Sequence, residues 1–386
     1  MSIPVRRLRR RWLKFLIVLM ASVLAGIACE IILAVVGVSF PRPYIPDPHI
    51  GTRLQPGLCA WFGKEGGAWV CVNESGFRDD SHAIEADPDT LRIAVLGDSY
   101  VEAAQVALED TFWKVLETRL SKQSKRNVEV MGFGISGFGT AQELLAYRHY
   151  ARNWKPDIVI LAMTPSNDIR NNSSHLEPVQ ERPFFKLVDG NLIEDRGFLQ
   201  HPAFLLANQT SSRIKTWMIN ASRTLQLAAE LKQRPGNNAQ DAVTEQGLDD
   251  SIFKPPVTPA WQEAWDVTEA LIRQLHEDVT ADGAVLVVVT LTSANQVPPD
   301  EAIWKQNCID LGTSNLTYAE DRIADVCRES GIPVLTLAAP MRSMAVEQLV
   351  WFHGFPNTAP GTGHWNVHGH QVAGRLIAEF LQKLGY

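Results

Sequence analysis

The longest apolar stretch comes first: across 15–40 the only ionisable residue is Glu30. About 20 such residues cross a bilayer as a helix, so one N-terminal transmembrane helix is expected here. Beyond residue 90 the pattern changes to short apolar runs alternating with amphipathic stretches. Strands are expected at 92–97, 128–133, 157–163, 284–291 and 332–337, and helices at 111–121, 141–153, 261–280, 318–329 and 370–384. Strands that read as nearly continuous apolar runs, each followed by a helix, imply βαβ units and a mostly parallel sheet covered on both faces. In 261–280, Trp261, Trp265, Leu271, Ile272 and Leu275 approximate one apolar helical face, as core residues do.

The alternation breaks at 172–258, which reads as an insertion of the kind that often forms a lid or binding surface. Within it 213–232 has helical character and the chain from Arg234 onward is polar. Three parts follow: 1–40, a basic tail and anchor; 41–90, a stalk stiffened by Pro41, Pro43, Pro46 and Pro48 with a small lead-in layer; and 91–386, the main domain.

Charge adds direction. Arg6, Arg7, Arg9, Arg10, Arg11 and Lys14 precede the apolar run, which places the amino terminus in the cytoplasm and exports the rest. A cleaved signal peptide is the rival, but its apolar core spans only about 7–15 residues. Lipoprotein-type cleavage before Cys29 is poorly matched by Gly26-Ile27-Ala28. An uncleaved, single-pass anchor is therefore expected, with Glu30 near its outer end reaching for the interface. Without those six cations 30 basic residues face 43 acidic ones, about −13. Such a surface repels a polyanion, so no nucleic-acid partner is expected. Cys29 lies in the span, and the other four cysteines suggest by locality two bridges, Cys59–Cys71 and Cys308–Cys327, among three possible pairings. No Cys-x-x-Cys or His-Glu-x-x-His spacing occurs, so neither metal nor cofactor is expected. Nothing in the sequence sets an oligomeric state.

Four short motifs fall at or beyond expected strand ends, where open α/β sheets place ligands: Gly97-Asp98-Ser99-Tyr100, Gly134-Ile-Ser-Gly137-Phe-Gly-Thr140, Ser166-Asn167-Asp168 and Gly363-His364-Trp365-Asn366. In order and spacing they resemble the SGNH/GDSL hydrolase superfamily, from about residue 91 to the end apart from the insertion. The lead-in Asn73-Glu-Ser-Gly-Phe-Arg78 resembles a segment found in membrane-anchored bacterial members. The resemblance implies a flavodoxin-like three-layer α/β/α sandwich and acyl-ester chemistry, with Ser99 as nucleophile, His364 as base, and Ser99, Gly137 and Asn167 as oxyanion-hole donors.

The chemistry stands without the family. A serine hydroxyl needs a base within hydrogen-bond reach, and histidine titrates near neutrality. Glycine at 137 lets a backbone N–H approach the reacting oxygen, and Asn167 can add an amide donor. His368 and His370 are expected to be structural. One departure matters: the aspartate that family members carry two or three residues before the histidine is replaced by Gly361 and Thr362. A Ser99–His364 dyad steadied by a carbonyl or by Thr362 is expected, or a carboxylate arriving from elsewhere, Asp168 or the insertion. The main expectation is an extracytoplasmic serine esterase acting on a small-molecule, glycan or lipid ester. The alternatives are an O-acyltransferase acting on envelope polysaccharide and a non-catalytic binding or assembly protein that keeps the fold.

Overall fold

A computed structural model of the chain describes residues 5–124, 126–233 and 249–386. The chain divides into two compact units, one comprising Met1–Arg42 with Thr210–Asn237, the other Pro43–Gln209 with Asn238–Tyr386.

In the first unit α1 (Val5–Val35) is long and apolar enough to cross a membrane. The insertion contributes α7 (Thr210–Asn220) and α8 (Arg223–Gln233) to the same unit. The polar stretch expected at 234–258 lies largely outside the described residues.

In the second unit five parallel strands form the central sheet: β5 (Thr90–Gly97), β6 (Asn127–Gly134), β7 (Ile158–Met163), β10 (Val285–Thr290) and β11 (Val334–Thr336). Their order is β11-β10-β7-β5-β6. Counted along the sheet this is 2-1-3-4-5 from the β6 edge, the flavodoxin-like order. Successive residues of β5 serve opposite faces. Ala94 and Leu96 pack in one core with side chains of α4 (Thr140–His149), α9 (Pro259–Ala281) and α11 (Tyr318–Glu329). Ile93 and Val95 join the other core, with α3 (Phe112–Gln123), α12 (Ala338–Gln348) and α13 (Val367–Lys383). The parallel sheet expected from the apolar pattern, and the three-layer sandwich implied by the resemblance, are the fold observed. The helix expected at 141–153 stops at His149 and tightens into a 3-10 turn, Ala151–Trp154. The terminal helix begins earlier than expected because Asn366 caps it, accepting from the Gly369 N–H.

Two antiparallel hairpins form the lead-in: β1 (Tyr44–Asp47) with β2 (Gly51–Leu54), and β3 (Cys59–Phe62) with β4 (Ala68–Cys71). Cys59 and Cys71 face each other in the second hairpin and are disulfide-bonded. The insertion adds a third hairpin, β8 (Phe184–Val188) with β9 (Asn191–Asp195), and α6 (Pro202–Ala207).

The second expected bridge does not form. Cys308, on α10 (Glu301–Asp310), and Cys327, on α11, are free thiols buried in the α9-side core. Each behaves there as a small apolar side chain. Burial pushes the Cys327 thiol up to about 12.

Candidate active site

The first and third strands of the sheet, β5 and β7, are neighbours whose following connections leave to opposite sides of the sheet, the switch point at which such folds bind ligands. Two short helices start at their carboxyl ends, α2 (Ser99–Glu102) and α5 (Pro165–Asn171). Asp98 caps α2 by accepting from the Tyr100 N–H. This holds Ser99 as the first helical residue. The turn is tight because Gly97 and Gly134 lack side chains: a Cβ on either would lie 2.4 Å from an atom of Val101.

Ser99 and His364 meet, with Nε2 of the imidazole 2.9 Å from the serine Oγ. Both are buried, 1% and 7% exposed respectively. The other ring nitrogen faces a carboxylate. Glu65 Oε2 lies 2.6 Å from His364 Nδ1, and its Oε1 accepts the His364 backbone N–H at 2.7 Å. Neither Thr362 nor Asp168 is the partner: the Thr362 hydroxyl donates to the Ala359 carbonyl, and Asp168 accepts the Thr164 N–H at the start of α5. Of the two expectations, a dyad or a carboxylate from elsewhere, the geometry matches the second, but the carboxylate comes from the lead-in layer and not from Asp168 or the insertion.

Glu65 sits in the turn between β3 and β4. Asn357 clamps that turn, its side chain accepting from the Gly66 N–H and donating to the carbonyls of Gly63 and Gly66. Gly363, at φ +64°, makes room, since a Cβ there would fall 2.0 Å from Glu65 Oε1. Nothing in the sequence around residue 65 marks it as a partner of a histidine. The sole hint is that Gly363 precedes His364, which signals a close approach without saying by what.

Gly137 has φ +77°, and a Cβ there would meet nothing within 4 Å. Its carbonyl accepts from Asn171 Nδ2 at 3.0 Å and from the Arg182 guanidinium. The preceding residue is held as well: Ser136 N–H donates to Glu102 Oε2 at 2.7 Å, and the Tyr44 hydroxyl donates to the same carboxylate. Burial raises the Glu102 pKa. Asn167 is fully buried beside the serine turn. Its amide donates to Asp98 Oδ2 at 2.8 Å and approaches the Phe138 carbonyl at 3.4 Å, while its oxygen accepts from Asn171. One N–H of Asn167 is therefore committed to Asp98 and the other only weakly engaged.

Beneath this turn Glu143 and Asp168 are buried together near Asp98. Burial, followed by the charges of neighbouring carboxyls, holds both well above the usual carboxylate range. His370 is buried and its Nδ1 accepts the Phe112 N–H, with burial lowering its pKa to about 3. His368 packs its ring near Phe352.

A cavity of about 900 Å³ opens from the Ser136–Gly137–Phe138 loop. Lead-in residues Ile45 and Ile50 and insertion residues Val179 and Phe204 contribute apolar walls, and Arg170 and Arg182 polar ones.

No family model matches the chain, and no curated protein matches it by sequence. Solved structures do match. A GDSL-like lipase from Bacteroides thetaiotaomicron is 14% identical, with 78% of this chain and 93% of that one covered and a TM-score of 0.37. A catalytic mutant of an acetylxylan esterase from Geobacillus stearothermophilus is 12% identical, covering 79% and 97%, TM-score 0.38. A lipase/acylhydrolase from Enterococcus faecalis is 10% identical, covering 76% and 96%, TM-score 0.39.

Proposed function

We propose that the chain is a membrane-anchored serine esterase of the SGNH/GDSL type, working outside the cytoplasm on an acyl ester of an envelope glycan or lipid. The observation that carries this reading is the Ser99–His364–Glu65 relay at a sheet switch point. His364 Nε2 takes the proton as Ser99 Oγ attacks the ester carbonyl. Glu65 holds the ring so that Nδ1 keeps its hydrogen, and its charge stabilises the imidazolium that forms. The tetrahedral oxyanion is met by the N–H groups of Ser99 and Gly137 and by the weakly engaged N–H of Asn167. Collapse expels the alcohol, which takes the proton from His364. Water then releases the acyl group from Ser99 by the same steps in reverse.

The anchoring half rests on the apolar helix Arg9–Val35 and the cations before it, and export agrees with the Cys59–Cys71 bridge.

Purified full-length protein in detergent should hydrolyse short-chain aryl esters, and Ser99→Ala should not. Equal rates from the two proteins would overturn the serine mechanism.

One observation favours a second reading, acyl transfer to a polysaccharide hydroxyl. The insertion helps wall the cavity beside Gly137, and Ser99 is nearly covered, an arrangement that favours a bound acceptor over bulk water. Mass spectrometry of polysaccharide incubated with enzyme and acyl donor separates the readings: acyl groups gained indicate transfer, groups lost indicate hydrolysis. A non-catalytic reading drew its support from the missing aspartate, and Glu65 occupies that role.

A further inference from the structure

Glu30 lies inside the apolar run, yet it is not alone. Its carboxylate accepts from the Ser222 hydroxyl at 2.5 Å, from the Arg223 N–H at 2.8 Å and from the Thr224 N–H at 3.0 Å. These are the turn and the first residues of α8, so a side chain of α1 caps the amino end of a helix from the insertion. Further bonds tie the same turn to the chain just after α1. Asn220 exchanges hydrogen bonds with the backbone N–H and carbonyl of Arg42, Gln226 accepts the Phe40 N–H, and Arg223 donates to the Val38 carbonyl.

We infer that the α7–α8 hairpin lies in the outer lipid interface of the membrane that α1 crosses, with Ile214, Trp217 and Met218 embedded among the acyl chains. The inference rests on the anchoring proposed above. At about 1.5 Å per residue, Glu30 is about 23 Å above Phe15, within a hydrocarbon layer about 30 Å thick. The carboxylate therefore sits below the outer boundary. Ionisable groups at such depth pair with other polar groups, which the hydroxyl and two N–H groups supply. The turn bonded to Glu30 must share its depth, and α7 ends and α8 begins at that turn.

The surface chemistry agrees. Trp217 and Met218 stand about one helical turn from Ile214 on α7, and Ile214, Trp217 and Met218 are 53, 62 and 44% exposed. Leu225 and Leu231 on α8 are exposed as well. In water this would be a costly patch for eleven-residue helices. At an interface, tryptophan and a mixed apolar and basic helix are favoured. Arg213, Lys215, Arg223 and Lys232 outnumber the one acid, Glu230, over 210–233, which suits anionic headgroups. A bilayer is the occupant this points to, because the turn that joins α7 to α8 is bonded to Glu30 of α1, the helix that crosses it.

The test uses full-length protein in vesicles of phosphatidylcholine and phosphatidylglycerol. A Cys29→Ala background carries one spin label at position 23, 218 or 257. Accessibility to oxygen and to a water-soluble nickel complex then reports depth. Labels on Val23→Cys and Met218→Cys should favour oxygen, and one on Val257→Cys, 90% exposed, should favour nickel. Glu30→Gln should raise nickel access at 218 several-fold. A lipid-exposed 23 with a nickel-accessible 218 overturns this inference alone. A label at 218 shielded from both reagents also overturns it, since protein would then cover the patch. A nickel-accessible 23 overturns the anchor and this inference together. Hydrolysis of a soluble aryl ester by the Met218→Cys protein should match the unlabelled background.

Discussion

Glu65 Oε2 and His364 Nδ1 lie 2.6 Å apart although 299 positions separate the two residues. The contact is doubled by the bond from the His364 N–H to Glu65 Oε1, so one carboxylate fixes the ring and the backbone beneath it. Such a charge-assisted pair selects the imidazole tautomer that leaves Nε2 free to accept a proton.

Glu65→Gln is expected to lower kcat by about 10²–10⁴, with KM little changed, because an amide in that place favours the wrong tautomer. Glu65→Asp should fall between, its carboxylate being one methylene short. Thr362→Ala should leave kcat within about twofold. Steady-state kinetics on one aryl ester compare all three.

Arg182 bonds the Gly137 carbonyl and pairs with Glu177, 3.4 Å away. It thereby links the insertion to the loop proposed to bind the oxyanion. Arg182→Ala should reduce kcat about 10–100-fold, less than losing a donor outright, which costs about 10²–10³. The double variant with Asn171→Ala should be non-additive, since both donors share one oxygen. An unchanged kcat with a raised KM would instead make Arg182 a binding residue.

The Cys59–Cys71 bridge closes the hairpin that carries Glu65, with the two cysteines twelve positions apart. Replacing both by serine should cost about 3 kcal/mol of stability on the chain-entropy account. It should also lower kcat several-fold through a looser Glu65. Thermal unfolding and kinetics, each with and without reductant, measure the two effects separately.

Glu320 is buried, its carboxyl accepting from Gln296, and burial pushes its pKa up to about 8 from the usual 4.5. Between those values the folded state holds a proton that the unfolded state has lost. Stability therefore declines as pH rises from about 4.5 to 8, then levels. Glu320→Gln removes that slope. Relative to the parent it should gain about 1–3 kcal/mol at pH 8 and little at pH 5, read from chemical unfolding at both.

The sheet was legible because each strand is apolar on both faces and each is followed by a helical period. Ser99, Gly137 and Asn167 were legible as candidates because they follow strand ends, and His364 because it precedes the last helix, in a recognisable order. The acid was not. A lone glutamate between glycines in a turn has the signature of a solvated residue, and its partnership is made by a fold-level juxtaposition that no local pattern encodes. Cys308 and Cys327 misled for the opposite reason: a spacing that suits a bridge equally suits two thiols packed on successive helices. Glu30 carried a local signal, a charge in an apolar run, but its partners lie beyond residue 220.

Because the carboxylate travels with the β3–β4 hairpin, a fragment starting at the first core strand would retain the four motifs and lack the proposed acid. Recombination that exchanged this leader for another would remove the proposed acid without disturbing the four motifs by which such chains are sorted. An engineer trimming the protein for expression must keep the segment from residue 59 onward, and one grafting the hairpin elsewhere must carry Asn357 and Gly363 along with it.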